Sequence, residues 1–500
     1  MTTARHIRGS SLLFVGRLFA LAVDFVSQVL IVRYLAKDDF GAFALALSFV
    51  ALGTSVSLLG LERTIGRFAA VYHERADYGR VWGVLIVVFS TVVGLGVLVV
   101  LGVYAAQGLL GGLVDNSVAL SLLLVVIVLS PIQALDSLLV ASFATFASAR
   151  AIFWRRHVLA PLLQFSVVLA LLGTEGDVRF LALGWVTAGA LGVSLYLAFF
   201  WRVLARAGLV AQLRRDTLRL PVREVFGFAL PLLASDLVFV LRTSVTIIIL
   251  ELLHSVTEVA EFRAVLPLAA QNLLVSTSFR YLFTPQASRL YARQDARAVH
   301  DLYWQTAVWI AVATFPVLAV TVALAEPVTV LLFGERYREA GIVLAALAVG
   351  HYVHGSLGFN ALTLRVYGRV RYLVTADLVT AAASLVGTIL LVRAFGALGA
   401  ALGVSASLLL QNALYQVGLQ RLTPVSALDR RHIPTYLSVW GALAVLLAAQ
   451  WLLAPPPVVG ALLVVIASGV VFALNRDRLR ILQTFPELAR FPFARAVLGR

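Results

Sequence analysis

Long apolar runs recur from one end of this chain to the other, and they set the terms for any fold it can adopt. They fall at 9–35, 40–63, 80–105, 114–144, 151–172, 179–201, 223–252, 258–284, 301–325, 338–364, 371–393, 396–420, 433–453 and 457–475. At a rise of about 1.5 Å per residue, roughly 20 residues of helix cross the ~30 Å hydrocarbon core of a bilayer. Barrel strands would be about 10 residues long with strict alternation, which these runs do not show. The expected fold is therefore all-α and integral to the membrane, with fourteen spans.

Apolar residues make up 61% of the chain and charged residues 13%, with a mean hydropathy of +0.95. A soluble domain does not carry such a composition. The first run holds charges and has no small-residue cleavage site after a short apolar core, so it reads as a retained helix rather than a signal peptide. The net charge of +15 is organised by loop. Connections on one side, together with both termini, hold 31 of the basic residues and those on the other side seven. The positive-inside rule then expects cytoplasmic N- and C-termini and an even number of spans in a cell membrane. Anionic lipid head groups account for the basic excess better than nucleic acid does. Cysteine is absent, which removes thiol chemistry.

Charges inside the runs cost roughly 2.5–3.5 kcal/mol each at the bilayer centre, so they persist where they pair, line water or touch a ligand. Arg17, Asp24 and Arg33 lie in the first run; Asp236, Arg242 and Glu251 lie in the seventh. An offset near 218 superposes the two sets with opposite signs. The same offset matches Phe40-Gly41-Ala42-Phe43 to Val259-Ala260-Glu261-Phe262. This suggests a parallel repeat of two six-span lobes, 1–205 and 223–422, joined by a basic amphipathic linker at 206–222. The last segment, 423–500, adds two spans and a tail.

On this reading Arg17 faces Asp236 and Asp24 faces Arg242. The pairs are either static salt bridges or a gate whose arginines release their partners for an anionic head group. Arg33 and Glu251 sit at span ends and reach the interface. Asp136 and Asp377 are deeper and could couple to ions, and Gln271 and Asn272 could meet sugar hydroxyls or bond helix to helix. His351 and His354, three apart, read as hydrogen-bonded packing elements, with a proton-linked pair as the alternative. No phosphate-cradling loop, HExxH motif or extramembrane catalytic lobe is present, so the chain is not expected to be an enzyme. No cofactor is expected; a proton or sodium gradient is one source of coupling that the buried acids leave open.

Short motifs then carry a resemblance. They are Arg33-Tyr34-Leu35-Ala36-Lys37-Asp38-Asp39-Phe40-Gly41-Ala42-Phe43, Gly60-Leu61-Glu62-Arg63, Leu332-Phe333-Gly334-Glu335-Arg336-Tyr337, Tyr367-Gly368-Arg369-Val370-Arg371 and Phe395-Gly396-Ala397-Leu398-Gly399-Ala400-Ala401. In order and at these spans, they make the chain resemble the multidrug/oligosaccharidyl-lipid/polysaccharide (MOP) exporter superfamily, in its polysaccharide or O-antigen (Wzx-type) flippase branch. The resemblance implies a V of two six-helix lobes with alternating access. It also implies a polyprenyl-pyrophosphate-linked oligosaccharide as substrate, with a polysaccharide polymerase or glycosyltransferases as partners. The motifs read as turns and caps, so they transfer no substrate residue. Two other readings stand beside it: a lipid II flippase, and a cation-coupled multidrug exporter using Asp24, Asp236 or Asp377. A membrane-embedded glycan polymerase is a third, weakened by the missing outer loop.

Overall fold

The computed structural model describes residues 3–113, 116–146, 153–213 and 218–479, with side chains at 3–14, 113, 231–239, 241–242 and 281–282 outside that description. The described residues fold into helices joined by short connections, with no strand. This is what lipid demands, since each backbone polar group must find its partner within the segment. Eleven helices among the described residues are long and apolar enough to cross a membrane.

The chain contacts form two compact units, Met1–Ala260 and Glu261–Arg500. In the first, the main helices are α1 (Thr3–Tyr34), α2 (Lys37–Leu58), α3 (Tyr78–Ala105), α4 (Ser117–Val126), α5 (Leu129–Phe146), α6 (Ala160–Gly173), α7 (Val178–Arg206), α8 (Val222–Val240) and α9 (Thr246–Leu253). Helix α10 (Val256–Ala270) straddles the division. Polar residues start several helices by accepting a backbone N–H three residues on. Asp77 caps α3 at 3.1 Å, Asn116 caps α4 at 3.0 Å and Asp177 caps α7 at 2.9 Å.

The run expected as one span at 114–144 is broken between α4 and α5. Pro131 explains the break: its ring would meet the carbonyl of Ile127 in a continuous helix, and it has no N–H to donate. Wider π-helical turns occupy Ile65–Ala69, Phe153–Leu159 and Leu241–Val245. The core of this unit gathers Trp82, Leu85, Val88, Leu138, Phe143, Tyr196 and Phe200. The connection after α7 is pinned to α3, since Trp82 Nε1 donates to the Leu209 carbonyl at 2.9 Å. A Cβ on Gly83 would lie 1.8 Å from the Arg219 carbonyl oxygen. The starts of α2 and α10 also touch. Thr257 donates to the Asp38 carboxylate, and a Cβ on Gly41 would lie 1.9 Å from the Val256 carbonyl oxygen.

The second unit continues with α11 (Leu274–Ala292), α12 (Ala296–Ala323), α13 (Ala325–Phe333), α14 (Ala340–Ser356), α15 (Asn360–Val366), α16 (Val370–Leu422), α17 (Ile433–Leu453) and α18 (Pro457–Leu479). The spans expected at 371–393 and 396–420 are the two arms of α16. They fold back on each other at Gly396, whose φ of 55° and ψ of −129° suit a residue without Cβ. Tyr372 donates to the Leu414 carbonyl at 2.6 Å, and a Cβ on Gly399 would sit 1.9 Å from the Leu391 carbonyl oxygen, so the arms are in register and nearly touching.

The terminal pair α17 and α18 packs on α12, with Val439, Leu443, Val464 and Val471 against Val308 and Phe315. Asn475 Nδ2 joins the pair by donating to Ser438 Oγ at 2.8 Å. Where α16 gives way to α17, the connection is clasped to the start of α12. Ser426 N–H donates to His300 Nδ1 at 3.3 Å, and His300 Nε2 lies 3.2 Å from Asp429 Oδ2. These contacts fix the tautomer with the proton on Nε2. Burial works against the Asp429 anion, but donors from Arg431 and His300 outweigh it and bring its pKa down to about 2.

Candidate functional site

Single faces of three helices in the first unit line a half-open cavity of about 270 Å³. Helix α5 supplies Leu129, Ile132, Gln133, Asp136 and Ser137, whose spacing of three and four residues is one helical stripe. Helix α7 supplies Trp185, Ala188, Gly189, Gly192 and Val193 at the same spacing, and α6 supplies Ala160, Leu163 and Gln164. Each helix therefore presents a mixed polar stripe inward. The two glycines and two alanines leave the volume open.

The π-helical turn Phe153–Leu159 carries Arg155 to the cavity wall. Its neighbours diverge: Arg155 is 8% exposed, while Trp154 and Arg156 face outward. Arg155 Nη2 donates to Asp136 Oδ1 at 2.6 Å. The guanidinium carbon stands 4.7 Å from the centre of the Tyr196 ring, and that ring stacks on Phe143 at 4.4 Å and 6°. A cation over an aromatic face, itself locked by stacking, holds one orientation. A Cβ on Gly192 would come within 3.0 Å of Nη2, so the glycine lets the guanidinium settle there.

Satisfaction of this site is incomplete. Among the described residues Arg155 Nε and Nη1 have no hydrogen-bond partner, nor have Trp185 Nε1 and the Tyr196 hydroxyl. Buried donors left without partners each cost about 1–3 kcal/mol, so a ligand that supplied acceptors here would be rewarded. The turn is also braced from outside. A Cβ on Gly16 of α1 would lie 2.6 Å from Phe153 Cδ2, which brings the first helix directly against it.

The other residues singled out in the sequence fall elsewhere. Arg17 and Asp24 lie on the exposed side of α1, two turns apart. Asp236 in α8 and Arg242 in the π-helical turn Leu241–Val245 are outside the residues whose side chains are described, so the expected pairs with Asp24 and Arg17 are too. Arg33 is exposed at the end of α1. Glu251, read from sequence as reaching the interface, is 8% exposed and buried in α9. Asp377 is buried between the arms of α16, where Gln411 Nε2 donates to it at 2.7 Å and the Tyr415 hydroxyl also donates. Asn272 is fully buried, its amide nitrogen bonded to the Ala269 carbonyl at 3.1 Å and Thr321 Oγ1 at 3.2 Å. Gln271 bonds its own helix at the Pro267 carbonyl. His354 contacts Asn412 Nδ2 at 2.8 Å, and His351 lies 2.8 Å from the Leu347 carbonyl.

Arg155 was grouped by sequence with the basic loop residues. Its signal was present: it lies inside the run 151–172, before Pro161, 19 positions after the buried-run aspartate that it meets.

A family model described as polysaccharide biosynthesis protein matches residues 30–342. The chain belongs to that family. The resemblance to the MOP exporters read from the motifs agrees with that family and with the fold of the solved structures it matches. Among solved structures, it is similar to the lipid II flippase MurJ in an inward closed conformation, with a TM-score of 0.66 at 13% identity, covering 94% of this chain and 99% of that one. It is also similar to an inward-facing multidrug resistance MATE family transporter, with a TM-score of 0.64 at 13% identity, covering 81% of this chain and 94% of that one. A Vibrio cholerae MATE transporter matches with a TM-score of 0.54 at 15% identity over 83% and 97% of the two chains. These likenesses establish a shared fold. No curated protein sequence matches the chain.

Proposed function

We propose that this protein flips a polyprenyl-pyrophosphate-linked oligosaccharide, a repeat unit of a surface polysaccharide, from the cytoplasmic to the outer leaflet by alternating access. The match to the polysaccharide biosynthesis family over residues 30–342, on a membrane-helical scaffold, carries this reading. A pyrophosphate bearing several hydroxylated rings is too polar to cross about 30 Å of hydrocarbon unaided, whereas its lipid tail belongs there. A path lined by polar groups and open to lipid on one flank solves both problems.

In this reading the fourteen spans form two six-helix lobes with a terminal pair, and both termini are cytoplasmic. Arg17, Asp24, Asp236 and Arg242 face the path, where arginines engage pyrophosphate oxygens bidentately. A proton or sodium gradient supplies the work. The test is complementation of hosts lacking their own flippases. Restored surface polysaccharide in a glycan-flippase mutant is the expected result, with loss of export in Arg17→Ala or Arg242→Ala while the protein still inserts. Rescue confined to a lipid II flippase mutant, or drug resistance with unchanged glycans, would overturn it.

A further inference from the structure

We propose that the cavity between α5, α6 and α7 is a subsite for one neutral pyranose ring of the transported glycan, an inference that rests on the flippase reading. Its volume of about 270 Å³ falls just under the roughly 300–1,000 Å³ of sites for drug-sized ligands, which suits a single sugar ring with little else. The lining has the character that sugars require. Trp185 offers an indole held edge-on by Phe43 at 5.1 Å, and the electron-rich face of such a ring attracts the C–H edge of a pyranose. Gln164 offers a donor and an acceptor to hydroxyls, and Gln133 offers its amide donor while its oxygen accepts from Thr54 Oγ1 at 3.4 Å.

Among the described residues, Arg155 adds two buried nitrogens without a partner, Nε and Nη1, and Trp185 Nε1 is a third. Hydroxyl oxygens are the acceptors these donors lack, while Asp136, one-third exposed, accepts the hydroxyl protons in return. The charge balance selects against an acidic ring. Asp136 already neutralises Arg155 at 2.6 Å, so a second carboxylate bound to the guanidinium would stand within a few ångströms of the first. A cationic ligand would meet the guanidinium, and an apolar one would leave three buried donors unsatisfied. A neutral polyhydroxylated ring avoids all three penalties.

The experiment uses the full-length protein in lipid nanodiscs and saturation-transfer NMR. The probes are the methyl glycosides of glucose, galactose and mannose, with glucuronate and inorganic pyrophosphate alongside. At least one methyl glycoside should show ring-proton transfer. That affinity should fall about two- to tenfold in Trp185→Ala, the scale of a lost aromatic contact, and further in the cavity-filling Gly192→Leu. Trp185→Phe, which keeps a ring and loses the N–H, should lie between. No glycoside binding, tighter binding of glucuronate or pyrophosphate, or equal binding in the variants would overturn the subsite. Complementation separates the two readings. Restored glycan export without pyranose binding leaves the flippase reading standing and removes the subsite, whereas pyranose binding without export overturns the flippase reading and leaves the cavity a pyranose site with no transported glycan.

Discussion

Arg155 and Asp136 join two helical segments of the first unit through one short ion pair, Nη2 to Oδ1 at 2.6 Å, and they are buried unequally. The arginine side chain is 9% exposed and the aspartate 34%. The pair is therefore asymmetric in what its removal leaves behind. An orphaned Arg155 is a buried charge, while an orphaned Asp136 keeps partial access to solvent or head groups.

Removing the acid should cost more than removing the base. Asp136→Ala is expected to destabilise by about 3–5 kcal/mol, as for a buried pair broken on one side. Arg155→Ala should cost roughly 1–3 kcal/mol. Thermal unfolding of both variants in one detergent reads the order directly, and equal losses would contradict it.

Within α16, two glycine-to-alanine changes should have opposite signs. A Cβ on Gly399 would lie 1.9 Å from the Leu391 carbonyl oxygen, so Gly399→Ala must force the two arms apart. Overpacking of this kind costs about 1–3 kcal/mol. Gly387 has open space around it, and alanine there should gain roughly 0.5–1 kcal/mol from helix propensity. The melting temperatures of the two variants should bracket that of the parent.

Acid should loosen the clasp at Asp429. Its folded-state pKa of about 2 lies below the ordinary carboxylate value. The stability it contributes is then fully present above about pH 4 and is lost as pH falls from there through about 2. Burial holds His432 below the usual imidazole range, so acidification below about pH 6.5 also favours the unfolded chain at that position. Unfolding midpoints measured from pH 7 to 2 should fall in both windows. In Asp429→Asn the lower step should vanish.

Asp377 should depend on its donors. Tyr415→Phe removes a hydroxyl that donates to this buried carboxylate and should cost about 1–3 kcal/mol. Asp377→Asn in the same background should recover part of the loss, because a neutral amide needs fewer donors. A double-mutant cycle on thermal unfolding measures that coupling.

The membrane-helical class and the position of most helices were legible because apolar length and helix period are local properties. Asp77, Asn116 and Asp177 show the same at the boundaries, each a polar residue capping a helix. Breaks inside runs were less legible. Pro131 within the run 114–144 is a local signal for one, but no residue announced the π-helical turn at Phe153–Leu159, since an extra residue in a turn leaves no composition signal. That turn is why Arg155 escaped notice as a cavity residue: it carries Arg155 inward while Trp154 and Arg156 face outward. Asp136 was legible as a charge in an apolar run, but its partner lay in another helix. Such meetings depend on tertiary packing that spacing along the chain does not encode.

The contact between Gly41 and the Val256 carbonyl has a further consequence. With 1.9 Å left for a methyl group, this crossing of two helix starts admits no side chain at position 41. One glycine of the short motif from Arg33 to Phe43 is therefore a spacer set by backbone proximity, a structural fingerprint rather than a cargo-reading one. Natural variants that exchange one glycan for another would be expected to keep that glycine and to diverge instead at Gln133, Gln164 and Trp185.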